Sequence, residues 1–172
     1  MRKAIVLALA AVIIIMGIPY SLLAANSNTP LDVVIGNQVV LRVRAAADGQ
    51  SIQKRTNIIY ENLREVLSHT AMYPELTKAV EYDGDYAVVA PSYSDLSASE
   101  KAEIKAAKTF NPETMNLIAR VKKEDAKAAG MSKKALAMSW ARNIARALPT
   151  ANYEPNMCII QPGSCPTPSY KK

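Results

Sequence analysis

Two apolar runs rich in β-branched residues flank Gly36-Asn37 in residues 32–44, DVVIGNQVVLRVR. This pattern predicts two strands joined by a two-residue turn whose first position takes positive φ. After the short loop of residues 45–50 the period changes. Ile52, Ile59, Leu63 and Val66 recur at helical spacing behind Ser51, a favourable N-cap, and predict an amphipathic helix reaching Leu67. A second hairpin is expected over 78–90, KAVEYDGDYAVVA, turning at Asp83-Gly84 and stopped by Pro91. Ser97-Ala98-Ser99-Glu100 has the capping-box arrangement for a short helix to about Lys108. Residues 116–122 read as a strand, and residues 124–129 as one helical turn closed by Gly130. Ser132 then opens a last helix to Leu148, which Pro149 stops. Leu136, Trp140, Ile144, Ala147 and Leu148 share one face of it, with Arg142 and Arg146 opposite.

Two of these units match. Gly49-Gln50-Ser51 and Gly130-Met131-Ser132 each precede a helix, and Ile59, Leu63 and Leu67 correspond to Trp140, Ile144 and Leu148. Each helix follows a strand ending in basic residues, Arg42/Arg44 and Arg120/Lys122, with about three extra residues in the second unit. The expected fold is α+β: a small, mostly antiparallel sheet of hairpins with two amphipathic helices on one face, from a duplicated strand–helix unit.

The ends of the chain differ from this middle. Arg2 and Lys3 precede an uncharged apolar stretch, residues 4–23, and then the small residues Ala24-Ala25-Asn26-Ser27. That order is a secretory signal peptide over 1–27, with cleavage after Ser27 or Ala25; the alternative is an uncleaved anchor, since about 20 apolar residues can span a bilayer. Either reading places the rest outside the cytoplasm, periplasmic or secreted. Residues 28–149 form the expected single domain, and 150–172 a Pro-rich flexible tail. In that tail Cys158 and Cys165 are placed to close a short disulfide loop in an oxidising compartment.

Composition narrows the chemistry. Of 172 residues one is histidine and two are cysteine, which excludes multi-histidine metal centres and four-thiolate zinc modules. The net charge of +6 is unevenly divided: residues 28–96 carry 6 basic and 9 acidic groups, and residues 97–172 carry 13 and 6. Lys122, Lys123, Lys127, Lys133 and Lys134 crowd the approach to the last helix, either as a solvated surface or as a patch for anionic lipid or polymer. No aromatic–basic motif supports nucleic acid as a partner.

No catalytic signature is found, and no cofactor or metal site is expected. His69 reads as a helix-end residue near the negative dipole end. Asp83-Gly84-Asp85 lacks the ligand count of a calcium loop and reads as a turn. Arg55 sits at the edge of the first helix's apolar face. Its stem is expected to pack on the core with its head in water; the functional alternative is an anion contact shared with Arg42 or Arg44.

The segments VVIGNQVVLRVRAAADGQSIQKRTNIIYENL and LIARVKKEDAKAAGMSKKALAMSWARNIARAL carry a resemblance. With Arg55, Asp125-Ala126, Gly130-Met131-Ser132 and Trp140-Ala141 in place, the chain resembles the extracytoplasmic N-terminal domain of some small-conductance mechanosensitive channel proteins. The likeness covers 32–70 and 114–149, without a channel, and the helix within 71–113 reads as an insertion. It implies an accessory module with no catalytic residues to carry over.

The expectation is an exported, non-enzymatic binding domain of the bacterial envelope, its partner an envelope protein or component. The alternatives are an extracytoplasmic hydrolase using Asp48, Asp83 or Asp85, or a binder of anionic membrane surface.

Overall fold

The computed structural model describes residues 29–68, 73–93 and 95–150. The segment 1–27 read as a signal peptide, His69, and the tail with Cys158 and Cys165 lie outside the described residues. The described chain runs β1 (Leu31–Ile35), β2 (Gln38–Val43), α1 (Ile52–Leu67), β3 (Lys78–Tyr82), β4 (Asp85–Pro91), α2 (Ala98–Ala106), β5 (Met115–Val121), α3 (Lys123–Ala129) and α4 (Lys133–Ala147). The class is α+β and all strand pairing is antiparallel. The strands divide into two sheets rather than one, a hairpin β1–β2 and a three-stranded sheet in the order β3-β4-β5.

Local chemistry sets the boundaries. Ser51, Ser97 and Ser132 accept hydrogen bonds from the backbone N–H groups of Lys54, Glu100 and Ala135, and so cap α1, α2 and α4. Glu100 completes the reciprocal capping box at Ser97. The β3–β4 turn needs positive φ at both central residues, and Asp83 (50°) and Gly84 (71°) supply it. Gly130, left-handed, ends α3.

The repeat extends into the strands. In the first hairpin the register shifts between Val33 and Val34, which leaves Val40 as the extra residue of β2. In β4–β5 it shifts between Val88 and Val89, which leaves Ile118 as the extra residue of β5. A bulge turns its extra residue toward the face its neighbour already uses. Accordingly Val40 with Leu41, and Ile118 with Ala119, all enter the main core. That core also takes Ile59, Leu63 and Leu67 from α1 and Trp140, Ile144 and Leu148 from the second unit. Each helix packs on the other unit's strand as well as its own: α1 against β5 and β1, α4 against β4, β2 and β3.

The described residues between 73 and 115 build a second core. Leu76, Val80, Val89, Leu96, Ile104 and Met115 pack on the opposite face of the three-stranded sheet. α2 is therefore the cover of that face, held also by Lys78, whose ammonium donates to the carbonyls of Ile104, Lys105 and Ala107 at the helix end. Among the described residues no helix is long and apolar enough to cross a membrane.

The sheet edges are finished by side chains and by chain. The β3 edge is met by residues 108–110, through Glu81 N–H to the Lys108 carbonyl and Phe110 N–H to the Glu81 carbonyl. α1 serves two edges at once. The Tyr60 hydroxyl accepts from Val34 N–H and donates to the Asp32 carbonyl on β1, while Asn62 Nδ2 donates to the Ile118 carbonyl on β5 at 3.1 Å.

Packing makes the next outcome clear. Trp140→Ala, which empties a buried site shared by both units, should cost about 3–5 kcal/mol in urea unfolding. Met138→Ala, two residues away and half exposed, should stay within about 0.5 kcal/mol.

Candidate binding cleft and its charged rim

Arg55, one turn into α1, is buried at 7% side-chain exposure, and Asp125 of α3 is fully buried. Their side chains pair directly through Arg55 Nη2 and Asp125 Oδ2. The other carboxylate oxygen accepts from the backbone N–H of Arg44 (2.8 Å) and Ala45 (3.2 Å), and Arg55 Nη1 donates to the Ala45 carbonyl. The ring closes on itself: Ala45 gives its N–H to the acid and its C=O to the base. This corrects the expectation for Arg55, whose head is not in water. Its anion is the chain's own Asp125, seventy positions on. Arg42 turns elsewhere, to Asp32 at 2.5 Å across the hairpin.

Fixing Ala45 fixes the loop that follows. Asp48 (φ 53°) and Gly49 (φ 71°) form a two-residue turn inside a small bridge between Ala47 and Gln50. Glycine carries such a φ without strain, and aspartate tolerates it better than most residues. The turn delivers Asp48 to Lys122 at the end of β5, 2.7 Å away. Lys122 also meets Asp85 at 3.4 Å, and Asp85 pairs in turn with Lys133 at the start of α4. Four charges thus alternate in a chain, Asp48–Lys122–Asp85–Lys133, across two turns, a strand end and a helix start. Lys122 and Lys133 leave the expected lysine surface, in which Lys123, Lys127 and Lys134 remain exposed.

The three carboxylates weighed for hydrolysis do not share a pocket. Asp48 stands on one cleft, while Asp83 and Asp85 border a second, slightly more open cavity of about 490 Å³ at the β3–β4 turn with Tyr82, Tyr86 and Phe110. Each has a cation: Lys122 for Asp48, Lys122 and Lys133 for Asp85, and Arg120, at 3.9 Å, for Asp83. The hydrogen bond from Lys122 holds the Asp48 carboxyl below its ordinary range, against slight desolvation. Burial alone would raise Asp85, but Lys133 and then Lys122 outweigh it, and the net shift is downward. A general acid at neutral pH needs the opposite shift. Among the described residues no group of three His, Cys, Asp or Glu side chains is placed to hold a metal ion.

The cleft itself holds about 170 Å³ and lies between α1 and β5. Arg55, Ile58, Ile59 and Asn62 line it from the helix, and Leu117, Ile118, Ala119 and Arg120 from the strand. Asp48, Gln50 and Lys122 close one end. Leu117 packs on the second core's side of the sheet and the bulged pair Ile118 and Ala119 on the main core's side, so the strand lines the cleft from both faces and the cleft follows the edge of β5. Arg120 spans the sheet, its guanidinium 4.6 Å from the centroid of Tyr82, with a buried Nε that has no hydrogen-bond partner. The sequence pattern weighed Arg55 and Asp48 for function, named Gln50 and Arg120 only as parts of the repeat, and did not mark Asn62. The helical spacing 55, 58, 59, 62 was the available signal for their common face.

Removing either partner of the buried pair leaves the other charged and unmatched. Arg55→Met or Asp125→Ala should therefore cost about 3–5 kcal/mol in urea unfolding, and the double variant Arg55→Met/Asp125→Leu should cost less than the two single losses together. The surface chain acts through pH. Asp48 and Asp85 have lowered pKa values in the folded state, so the unfolded chain binds more protons in acid. Their contribution is present above the ordinary carboxylate value of about 3.9 and is lost as pH falls below it. Lys122→Met should flatten that acid limb in denaturation midpoints measured from pH 5 to pH 2.

No curated protein and no solved structure matches the chain. A family model does match, over residues 32–151, and its bounds run from β1 to just past the turn that follows α4. The chain belongs to that family, the domain of unknown function DUF8459.

Proposed function

We propose that this chain is an exported, non-enzymatic interaction domain of the bacterial envelope, and that the α1–β5 cleft is its recognition site. One observation carries the reading: the charge near the cleft is spent in pairs. Asp48, Asp83, Asp85 and Asp125 each meet a lysine or arginine, and the two with shifted pKa values are held ionised. An arrangement of this kind fixes loops and shapes a surface, whereas acid–base catalysis uses groups whose protonation changes near the working pH. The export segment at 1–27 and the resemblance to extracytoplasmic domains of mechanosensitive channel proteins support the compartment and the mode of action by contact.

Two measurements test this. A phosphatase that works only outside the cytoplasm, fused after Lys172, should be active in an expressing bacterium; a stable but inactive fusion removes the export reading. The purified full-length protein should give no turnover in a broad screen of ester, glycoside, phosphoester and peptide substrates. Turnover that Asp48→Asn or Asp85→Asn abolishes would replace the binding reading with a hydrolase.

A further inference from the structure

The cavity at the β3–β4 turn holds about 490 Å³, within the range of about 300–1,000 Å³ usual for small-molecule sites. Its walls are fixed. Asp83 and Gly84 hold the turn, and residues 108–110 are tied to the β3 edge through both the N–H and the carbonyl of Glu81. Phe110 packs on the second core and Tyr86 on the main core, so the cavity wraps the end of the sheet between them. The rings of Tyr82 and Phe110 stand edge to face, 5.0 Å apart at 80°, and make a corner.

Among the described residues that line the cavity none is aliphatic, and its apolar surface is the three rings. Its polar surface is all oxygen: the carboxylates of Glu81, Asp83 and Asp85, with the Thr109 and tyrosine hydroxyls. Ionised carboxylates only accept hydrogen bonds, so an occupant has to donate them. The donor is a cation or a neutral, hydroxyl-rich molecule, and the charges decide between the two. Asp83 meets Arg120 at 3.9 Å, and Asp85 pairs with Lys133 and Lys122; none of these cations lines the cavity. Arg120 also lies over the Tyr82 ring, 4.6 Å from its centroid, and fills the cation–π position there. The negative charge of both aspartates is thus matched, while a carboxylate has about four acceptor positions and keeps some for a ligand. Glu81 shows how a hydroxyl is received: its Oε1 accepts from the Tyr86 hydroxyl at 3.3 Å.

We propose that this cavity is a saccharide site that takes a mono- or disaccharide unit of an uncharged glycan. The C–H face of a sugar ring lies on the aromatic corner, and its hydroxyls donate to Glu81, Asp83 and Asp85. Asp85, whose burial is outweighed by Lys133 and Lys122, stays ionised and is not the proton donor that glycoside cleavage needs. The site is separate from the α1–β5 cleft and goes beyond the reading of that cleft.

The test is saturation-transfer NMR on purified full-length protein with maltose, cellobiose and N,N′-diacetylchitobiose. At least one should bind with a Kd of about 1 mM or tighter. Glu81→Ala, an exposed side chain, should weaken it about tenfold with an unchanged urea midpoint. Phe110→Leu, which removes a ring and keeps an apolar side chain on the second core, should weaken it about fivefold. Gln50→Glu, in the α1–β5 cleft, should leave the affinity unchanged. Co-sedimentation with isolated cell-wall sacculi, or with vesicles carrying a neutral glycolipid, would support the site and separate a wall polymer from a lipid headgroup as the source. No binding to any of the three sugars, equal binding by Glu81→Ala and Phe110→Leu, or binding confined to a uronate or glucosamine disaccharide would each overturn it. A sugar that Gln50→Glu displaces and the two cavity variants do not would place the ligand in the α1–β5 cleft, sinking this site and leaving the binding reading standing.

Discussion

The Arg55–Asp125 pair is the constraint from which the rest of the site follows. Two buried charges are costly, and the cost is offset only when further hydrogen bonds satisfy both groups. Here Asp125 takes two backbone N–H groups besides the guanidinium, and Arg55 gives a second bond to the Ala45 carbonyl. The partners come from different units, Arg55 from the first helix and Asp125 from the turn before the last. A pair of this kind contributes little by its mere presence but strongly disfavours any arrangement in which either half is displaced. It therefore sets the register between the units, and it locks residues 44–45 so that the Asp48-Gly49 turn reaches Lys122.

The repeat accounts for where Asp125 comes from. Strand positions correspond at one spacing, Val40 with Ile118 and Val43 with Val121, and helix positions at another, Ser51 with Ser132 and Leu67 with Leu148. The difference lies between strand and helix, where the first unit has a loop and the second has α3. That extra turn carries the acid. A symmetric duplication would have left Arg55 without its partner, and the asymmetry is what makes a buried arginine tenable at that position.

Much of the fold was legible in the sequence because its signals are local. Serine caps, the Asp83-Gly84 turn, Gly130 and the apolar periods of α1 and α4 all act within a few residues, and each stands where the pattern put it. The division into two sheets was not legible, because it depends on which side chains finish the strand edges. Tyr60 and Asn62 carry no mark of that task in sequence; it arises only once α1 lies between β1 and β5. Arg55 failed for the same reason. A single arginine on an apolar helix edge resembles a snorkelling residue until a carboxylate from distant sequence is brought against it. The second core was hidden too, since α2 has a weak apolar face with Ile104 as its one buried residue.

The two edges that α1 serves are not served equally. Tyr60 is a hydroxyl, donor and acceptor together, and it satisfies both a carbonyl and an N–H of β1 from one atom. Asn62 offers its amide donor to one carbonyl of β5 at the bulge, where the strand's pairing with β4 is already disturbed. A short polar side chain there keeps the helix and strand apart, whereas a large apolar residue would have closed them into core. The cleft, its length along the strand and its charged end are consequences of that separation and of the ion pair that anchors the first turns of α1. Stability in this fold thus gathers in one helix, whose buried face holds the two units together and whose flank borders the edge of β5.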